Sequence, residues 1–235
     1  MSDPAALRAR LERVRNRIAN AASRAKRDPS SVRLIAVSKT FSVDDIRAAA
    51  AAGQLDFGEN KVQEAQRKVA STADLPLRWH LIGHLQSNKA RKAAEHFDVI
   101  HSVDSVALLT KLDAAASAAG RHVELLVQVD LAGEVTKHGV SPDQVAPILE
   151  AGRGCRAVRL AGLMTLPPAV AEPEAARPYF AALRRVRDDF LARGVDPPML
   201  RELSMGMSYD FEVAIEEGAT CIRVGSAIFG ERDHV

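Results

Sequence analysis

The chain has 235 residues, enough for one large domain or two small ones, and is 47% hydrophobic and 26% charged. A net charge of +2 with 4% aromatic residues argues against a nucleic-acid binder. No apolar run reaches membrane-spanning length, no signal-peptide core follows the N-terminus, and Cys155 and Cys221 stand apart, without a zinc or disulfide pattern. A cytoplasmic protein is expected.

Residues 1–27 hold eight basic side chains, Arg8, Arg10, Arg13, Arg15, Arg17, Arg24, Lys26 and Arg27. The segment also carries Leu7, Leu11, Val14, Ile18, Ala21 and Ala25 at helical spacing. Residues 1–28 are therefore predicted to be an amphipathic helix docked on the body, with its basic face in solvent. Leu34-Ile-Ala-Val-Ser-Lys39-Thr40 then reads as a strand buried on both faces and ending on a lysine, with Val37 and Lys39 on one side and Ala36 and Ser38 on the other. An ammonium there is costly unless paired, and such lysines serve as nucleophiles, although many strand-end lysines simply reach water.

Further strand-like runs begin near Leu55, Trp79, Val99, Glu124, Val158, Leu200 and Cys221. Helical patterns separate them at Val43–Ala52, Lys61–Ala70, Asn88–His96, Ser105–Ala118, Pro142–Ala151, Glu174–Arg193 and Tyr209–Glu217, and Gly53, Gly120, Gly152, Gly194 and Gly218 are predicted helix stops. Eight strands alternating with helices match a (β/α)8 barrel of the TIM type with an extra N-terminal helix, and residues 1–235 read as one domain. An open doubly wound sheet is the alternative, but no GxGxxG follows the first strand.

In such a barrel phosphate binds after strands 7 and 8. The predicted loops there are Ser204-Met205-Gly206-Met207-Ser208, with Ser208 as a helix N-cap, and Gly225-Ser226 through Gly230. Arg223, in strand 8, is predicted to point into the barrel mouth and to converge with Lys39 on the neighbouring strand 1. Two inward cations beside an anion site suit a flat phosphorylated aldehyde, and pyridoxal 5'-phosphate fits that description.

Along nearly its whole length the chain resembles the pyridoxal-phosphate homeostasis protein family, related to the N-terminal barrel of alanine racemase. The resemblance rests on AVSKT around Lys39, FGEN (Phe57 to Asn60), WHLIGHLQSNK (Trp79 to Lys89), GLMTL (Gly162 to Leu166), LSMGMSYDFEVAI (Leu203 to Ile215) and IRVGSAIFG (Ile222 to Gly230). It implies Lys39 as the Schiff-base lysine, Asn60 near the cofactor ring, Arg223 at the pyridine nitrogen, and Ser208, Gly225 and Ser226 at the phosphate. Ser204, Gly206 and Met207 complete the expected cofactor-binding set.

The resemblance also implies cofactor storage and delivery, with pyridoxal-dependent apo-enzymes as recipients and a monomer or dimer as the working form. A low-activity amino-acid racemase and a cofactor-free Schiff-base aldolase are the alternatives. The related racemases draw a tyrosine base from a second, C-terminal domain, which is not expected here, and Tyr179 and Tyr209 are the tyrosines at hand. Guanidinium only donates, so a ring nitrogen facing Arg223 stays unprotonated and the ring is a weak electron sink. No metal is expected, because His80 and His84 straddle Gly83 instead of sharing a helix face. The resemblance gives His84 no role. Lys89 and Lys137 read as solvated loop lysines, with a part in cofactor release as the alternative. Met164 is expected to pack the barrel mouth, and Asp210 and Glu212 to complement a helix N-terminus.

Overall fold

A computed structural model describes residues 3–133 and 138–230. The first helix, α1 (Pro4–Arg24), precedes eight strand-and-helix units. These are β1 (Arg33–Val37) and α2 (Val43–Ala51), β2 (Asp56–Glu59) and α3 (Val62–Ser71), β3 (Arg78–Leu81) and α4 (Ala90–His96), and β4 (Val99–Val103) and α5 (Val106–Ala118). The second half continues with β5 (Val123–Gln128) and α6 (Val145–Gly152), β6 (Val158–Met164) and α7 (Arg177–Ala192), β7 (Glu202–Met207) and α8 (Phe211–Glu216), and β8 (Cys221–Val224) and α9 (Ser226–Phe229). The strands pair in parallel and in chain order, and β8 returns to β1 to close the barrel. The chain is thus the expected (β/α)8 barrel.

Local chemistry explains most boundaries. Ser42 and Asp45 cap α2 reciprocally, and Ser105 caps α5. Gly53, Gly120, Gly194 and Gly218 follow helix ends with φ between +62° and +102°, as stops should. Gly152 differs: it is the last residue of α6, and a Cβ there would meet Leu160 Cδ1 at 2.3 Å, so it is small to let α6 lie on β6. Leu200, read as the start of a strand, lies in a 3-10 turn over Pro197–Leu200, and β7 begins two residues later.

Between the strands and the helices lies a continuous apolar core that includes Leu34, Ala36, Phe57, Leu81, Ile100, Leu125, Leu163, Ile222 and Val224. The barrel interior holds a smaller apolar cluster of Val99, Leu126 and Met164, beside the buried polar residues His80, His101, Ser204 and Arg223. Helix α1 buries Leu7, Leu11, Val14, Ile18, Ala21 and Ala22, whereas Ala25 is its half-buried C-cap. Its basic face is not simply solvated. Arg17 forks onto Glu212 at 2.8 and 3.0 Å and lies over the Phe211 ring, Arg24 meets Glu216, Arg15 donates to Ala52 O, and Arg10 donates to Ile228 O at 2.6 Å. Arginine forks satisfy carboxylates and helix-end carbonyls, so α1 is fastened to the end of α2 and to the last helices of the barrel by polar as well as apolar contacts.

Candidate functional site

The C-terminal ends of the strands open on a cavity of about 520 Å³, within the range of small-molecule sites. Among its lining residues are Val37, Lys39, Asn60, His84, Met207, Ser208, Tyr209, Arg223, Gly225 and Ser226.

Lys39 stands two residues beyond β1 on the side of Val37, as alternation requires. Its neighbours are held by a buried polar knot. Ser38 Oγ donates to Glu59 Oε1 at 2.7 Å, and Lys68 Nζ donates to Ser38 O, Glu59 Oε1 and Glu64 Oε1 at 2.7–2.8 Å. Thr40 sits at φ +70°, an uncommon conformation for a β-branched residue, and its N–H donates to Glu64 Oε1 at 2.6 Å. Phe41 stacks on Phe229 of α9 at 4.7 Å. The backbone on both sides of Lys39 is therefore fixed before any ligand arrives. Burial raises the Glu59 carboxyl against the bonds from Lys68 and Ser38; at Glu64 the bonds from Lys68 and Thr40 overcome burial and lower it.

Arg223 is buried in the barrel centre. Its Nη1 donates to Ser204 Oγ at 2.6 Å and its Nη2 to Thr165 O at 3.0 Å. Behind it runs a polar chain in which His101 Nδ1 meets Ser204 Oγ at 2.9 Å, His101 Nε2 meets His80 Nδ1 at 3.0 Å, and His80 Nε2 meets Asp56 Oδ1 at 2.9 Å. Burial holds both histidines below their ordinary pKa, against Asp56 at His80 and with His80 and Arg223 adding at His101, so both rings are neutral. Starting from the Asp56 carboxylate, the proton positions follow: His80 donates to Asp56, His101 donates to His80, and the Ser204 hydroxyl donates to His101. Ser204 thus turns its lone pairs to Arg223. Burial pushes Arg223 down to about 10, so it remains a cation at neutral pH.

The two expected phosphate loops differ from the sequence reading. The 204–207 segment is strand, and the β7–β8 register slips between Ser204 and Met207, where Gly206 has φ +93°. A Cβ on Gly206 would meet Ala214 Cβ at 2.6 Å and Phe211 Cα at 2.9 Å, so this glycine lets α8 approach the barrel and does not line the cavity. Ser204 supports Arg223 from below and does not line it either. Ser208 is not a helix cap: its Oγ accepts the Gly225 N–H at 3.1 Å and joins the two loops, while Asp210 is the N-cap of α8 and accepts Met207 N–H at 2.7 Å. Gly225 has Val37 at 3.4 Å from any added Cβ and leads into α9, which begins at Ser226. Asn60 is fixed by Gly83, where a Cβ would lie 2.3 Å from Asn60 O.

His84 lines the cavity, although the sequence reading left it without a role. His80 and His84 are separated as expected, the first inside the barrel and the second exposed at its mouth. The Tyr209 hydroxyl donates to Ala171 O at 2.6 Å. Tyr179 lies in α7, Lys89 is half-buried ahead of α4, and Lys137 falls outside the described residues. The Glu59–Lys68–Glu64 knot and His101 were missed by sequence reasoning. A glutamate at an otherwise buried position of β2 was the available signal for the first.

A closed parallel barrel whose mouth brings together a lysine from β1, a buried arginine from β8 and two linked loops defines a class of small-ligand-binding (β/α)8 barrels. Residues 9–233 match the family described as "Alanine racemase, N-terminal domain". The chain is 46% identical over 224 residues to the pyridoxal phosphate homeostasis protein of Pseudomonas aeruginosa (95% of each chain), and 42% identical to that of Aquifex aeolicus (96% of this chain, 98% of the other). The structure of PipY from Synechococcus elongatus with pyridoxal phosphate bound superposes with a TM-score of 0.79 at 46% identity, covering 91% of this chain and all of that one. Alanine racemase of Clostridium difficile shares the fold at TM-score 0.74 and 16% identity. The chain belongs to the pyridoxal phosphate homeostasis proteins, within the alanine racemase N-terminal domain family.

Proposed function

We propose that this chain binds pyridoxal 5'-phosphate through Lys39 and serves pyridoxal phosphate homeostasis, handing the cofactor to apo-enzymes in the cytoplasm as one barrel unit. No helix among the described residues is long and apolar enough to cross a membrane. The observation that carries the reading is the convergence of Lys39 and Arg223, from adjacent strands, on one cavity edged by Ser208, Gly225 and Ser226. The donor set suits the ligand. Lys39 would bind its aldehyde carbon, Arg223 would face an acceptor, and Ser208 and Ser226 with the backbone at Gly225 would meet the phosphate, with Asn60 and Met207 completing the walls. Ser204 and Gly206 would contribute by holding Arg223 and the loop.

When bound, the cofactor supplies an aldehyde carbon that one amine holds and another can take over. The residues here are arranged for holding. Arg223 is a donor without acceptor capacity, so it leaves a facing ring nitrogen unprotonated. Tyr209, the tyrosine nearest the mouth, commits its hydroxyl to Ala171 O and offers no base to the cavity. These features favour a carrier over a racemase.

The test is borohydride reduction of the cofactor-loaded protein followed by peptide mapping, with transfer to a pyridoxal-dependent apo-enzyme measured alongside. The pyridoxyl group is expected on Lys39, with the visible imine band lost in Lys39→Ala and reactivation of the apo-enzyme by the wild type. An adduct on another lysine would overturn the site, and alanine racemisation at about one turnover per second or faster would make the chain an enzyme.

A further inference from the structure

We propose that His84, Asp104 and His138 form a binding site for a divalent transition-metal ion on the rim of the cavity. The three come from the segments that follow β3, β4 and β5, so consecutive strands deliver them to one side of the barrel mouth. One nitrogen from each imidazole and one Asp104 oxygen all lie within 4.8 Å of one another. The imidazoles stack at 3.4 Å between centroids and 8° between planes, and His84 Nδ1 is 3.7 Å from Asp104 Oδ2. Metal–ligand bonds of 2.0–2.2 Å lie in the imidazole planes and put tetrahedral ligand atoms about 3.4 Å apart, so the two exposed rings have to turn out of their stack for both nitrogens to reach one ion.

The backbones beneath these side chains are fixed. The His138 carbonyl accepts from the buried Gln128 side chain at 2.6 Å, and Val140 N–H donates to Gln128 O at 2.9 Å. Gly139, between them, has φ +132° and 3.0 Å from an added Cβ to Asp130 N. Asp104 lies between the end of β4 and Ser105, the N-cap of α5. His84 follows Gly83, which is closed against Asn60. Fixed backbones carrying movable ligand side chains suit an ion that selects its own bond angles.

Two imidazoles and one carboxylate suit zinc, cobalt or nickel; calcium and magnesium prefer all-oxygen sites. Three protein ligands leave a coordination position open. His84 also lines the cavity, so that position would be reached from inside it by an oxygen anion such as the carboxylate of a small molecule.

The test is titration of the full-length, untagged chain with zinc by calorimetry and with cobalt by visible spectroscopy at neutral pH. One equivalent of zinc and the d–d bands of a low-coordinate cobalt site are expected. His84→Ala, Asp104→Asn and His138→Ala should each weaken binding by about tenfold or more with far-ultraviolet circular dichroism retained, and Asp104→Asn and His138→Ala, which lie outside the cavity lining, should also retain the pyridoxal phosphate absorbance of the loaded protein. His96→Ala, in α4, should change nothing. Binding well below one equivalent, or binding that survives His84→Ala combined with His138→Ala, would overturn the site whatever the outcome at Lys39.

Discussion

The two sides of the barrel mouth are built differently. On the β8–β1–β2 side, Lys39 lies between residues locked by buried charges, and Arg223 is held by a chain of four further polar residues reaching Asp56. On the β3–β5 side, His84 and His138 are exposed and touch mainly each other and Asp104. Buried, fully bonded groups specify one geometry because any departure leaves a desolvated atom unpaired. Exposed groups have water as an alternative partner and can rearrange at little cost. One wall can therefore position a ligand while the other adjusts to it.

The sharpest way to break this comparison is Lys68→Met. It leaves Glu59, already with one buried unpartnered oxygen, facing Ser38 without its cation. Breaking a buried pair costs about 3–5 kcal/mol, and chemical denaturation should register that loss together with weakened cofactor binding. A change within 0.5 kcal/mol would show that the fixed wall does not depend on this knot. Gly83→Ala should come next, because its Cβ would meet backbone at Asn60 instead of a movable side chain. Forcing such a contact costs about 1–3 kcal/mol, and the shift of Asn60 should appear as a raised cofactor dissociation constant.

Acid should act on the fixed wall through His80 and His101. Their folded pKa values lie below the unfolded value of about 6.5, so the unfolded chain binds more protons as pH falls through that value. The stability they contribute is complete above pH of about 6.5 and declines below it, at up to about 1.4 kcal/mol per pH unit for each ring. Melting temperature measured from pH 7 downward should fall in this window, and less steeply in His101→Gln. The smallest effect is expected on the adjustable wall: His138→Ala should change stability by no more than about 0.5 kcal/mol. A larger loss would mean that the stacked imidazoles are part of the fold.

The fixed wall was legible in the sequence only where a residue contradicted its surroundings. Lys39 and Arg223 declare themselves because a cation in a strand buried on both faces needs a reason. The barrel itself was legible for the opposite reason, because strands buried on both faces read as near-continuous aliphatic runs. Ser204 and Gly206 misled: serine and glycine together look like a loop, whereas here one is buried beneath Arg223 and the other makes a bulge that lets α8 pack closely. Leu200 looked like strand because periodicity does not separate a short apolar run from a 3-10 turn after Pro197 and Pro198. The Glu59–Lys68 and His101–Ser204 partnerships span 9 and 103 residues, and no local pattern encodes which inward groups will meet.

The arginine fastening of α1 sets an order of events during synthesis. Arg10 finds its carbonyl partner 218 residues later, and Arg17 finds Glu212 195 residues later. At about 5–20 residues per second, the first helix leaves the ribosome roughly 10–40 s before the α8 and α9 part of its docking surface exists. Throughout that interval its stripe of Leu7, Leu11, Val14 and Ile18 lacks the native cover that α8 and α9 provide and has only α2 and the turn before β1 as native neighbours. A helix fastened to both ends of the sequence of elements thus spends most of synthesis with part of its apolar stripe exposed, a stretch on which a chaperone could act.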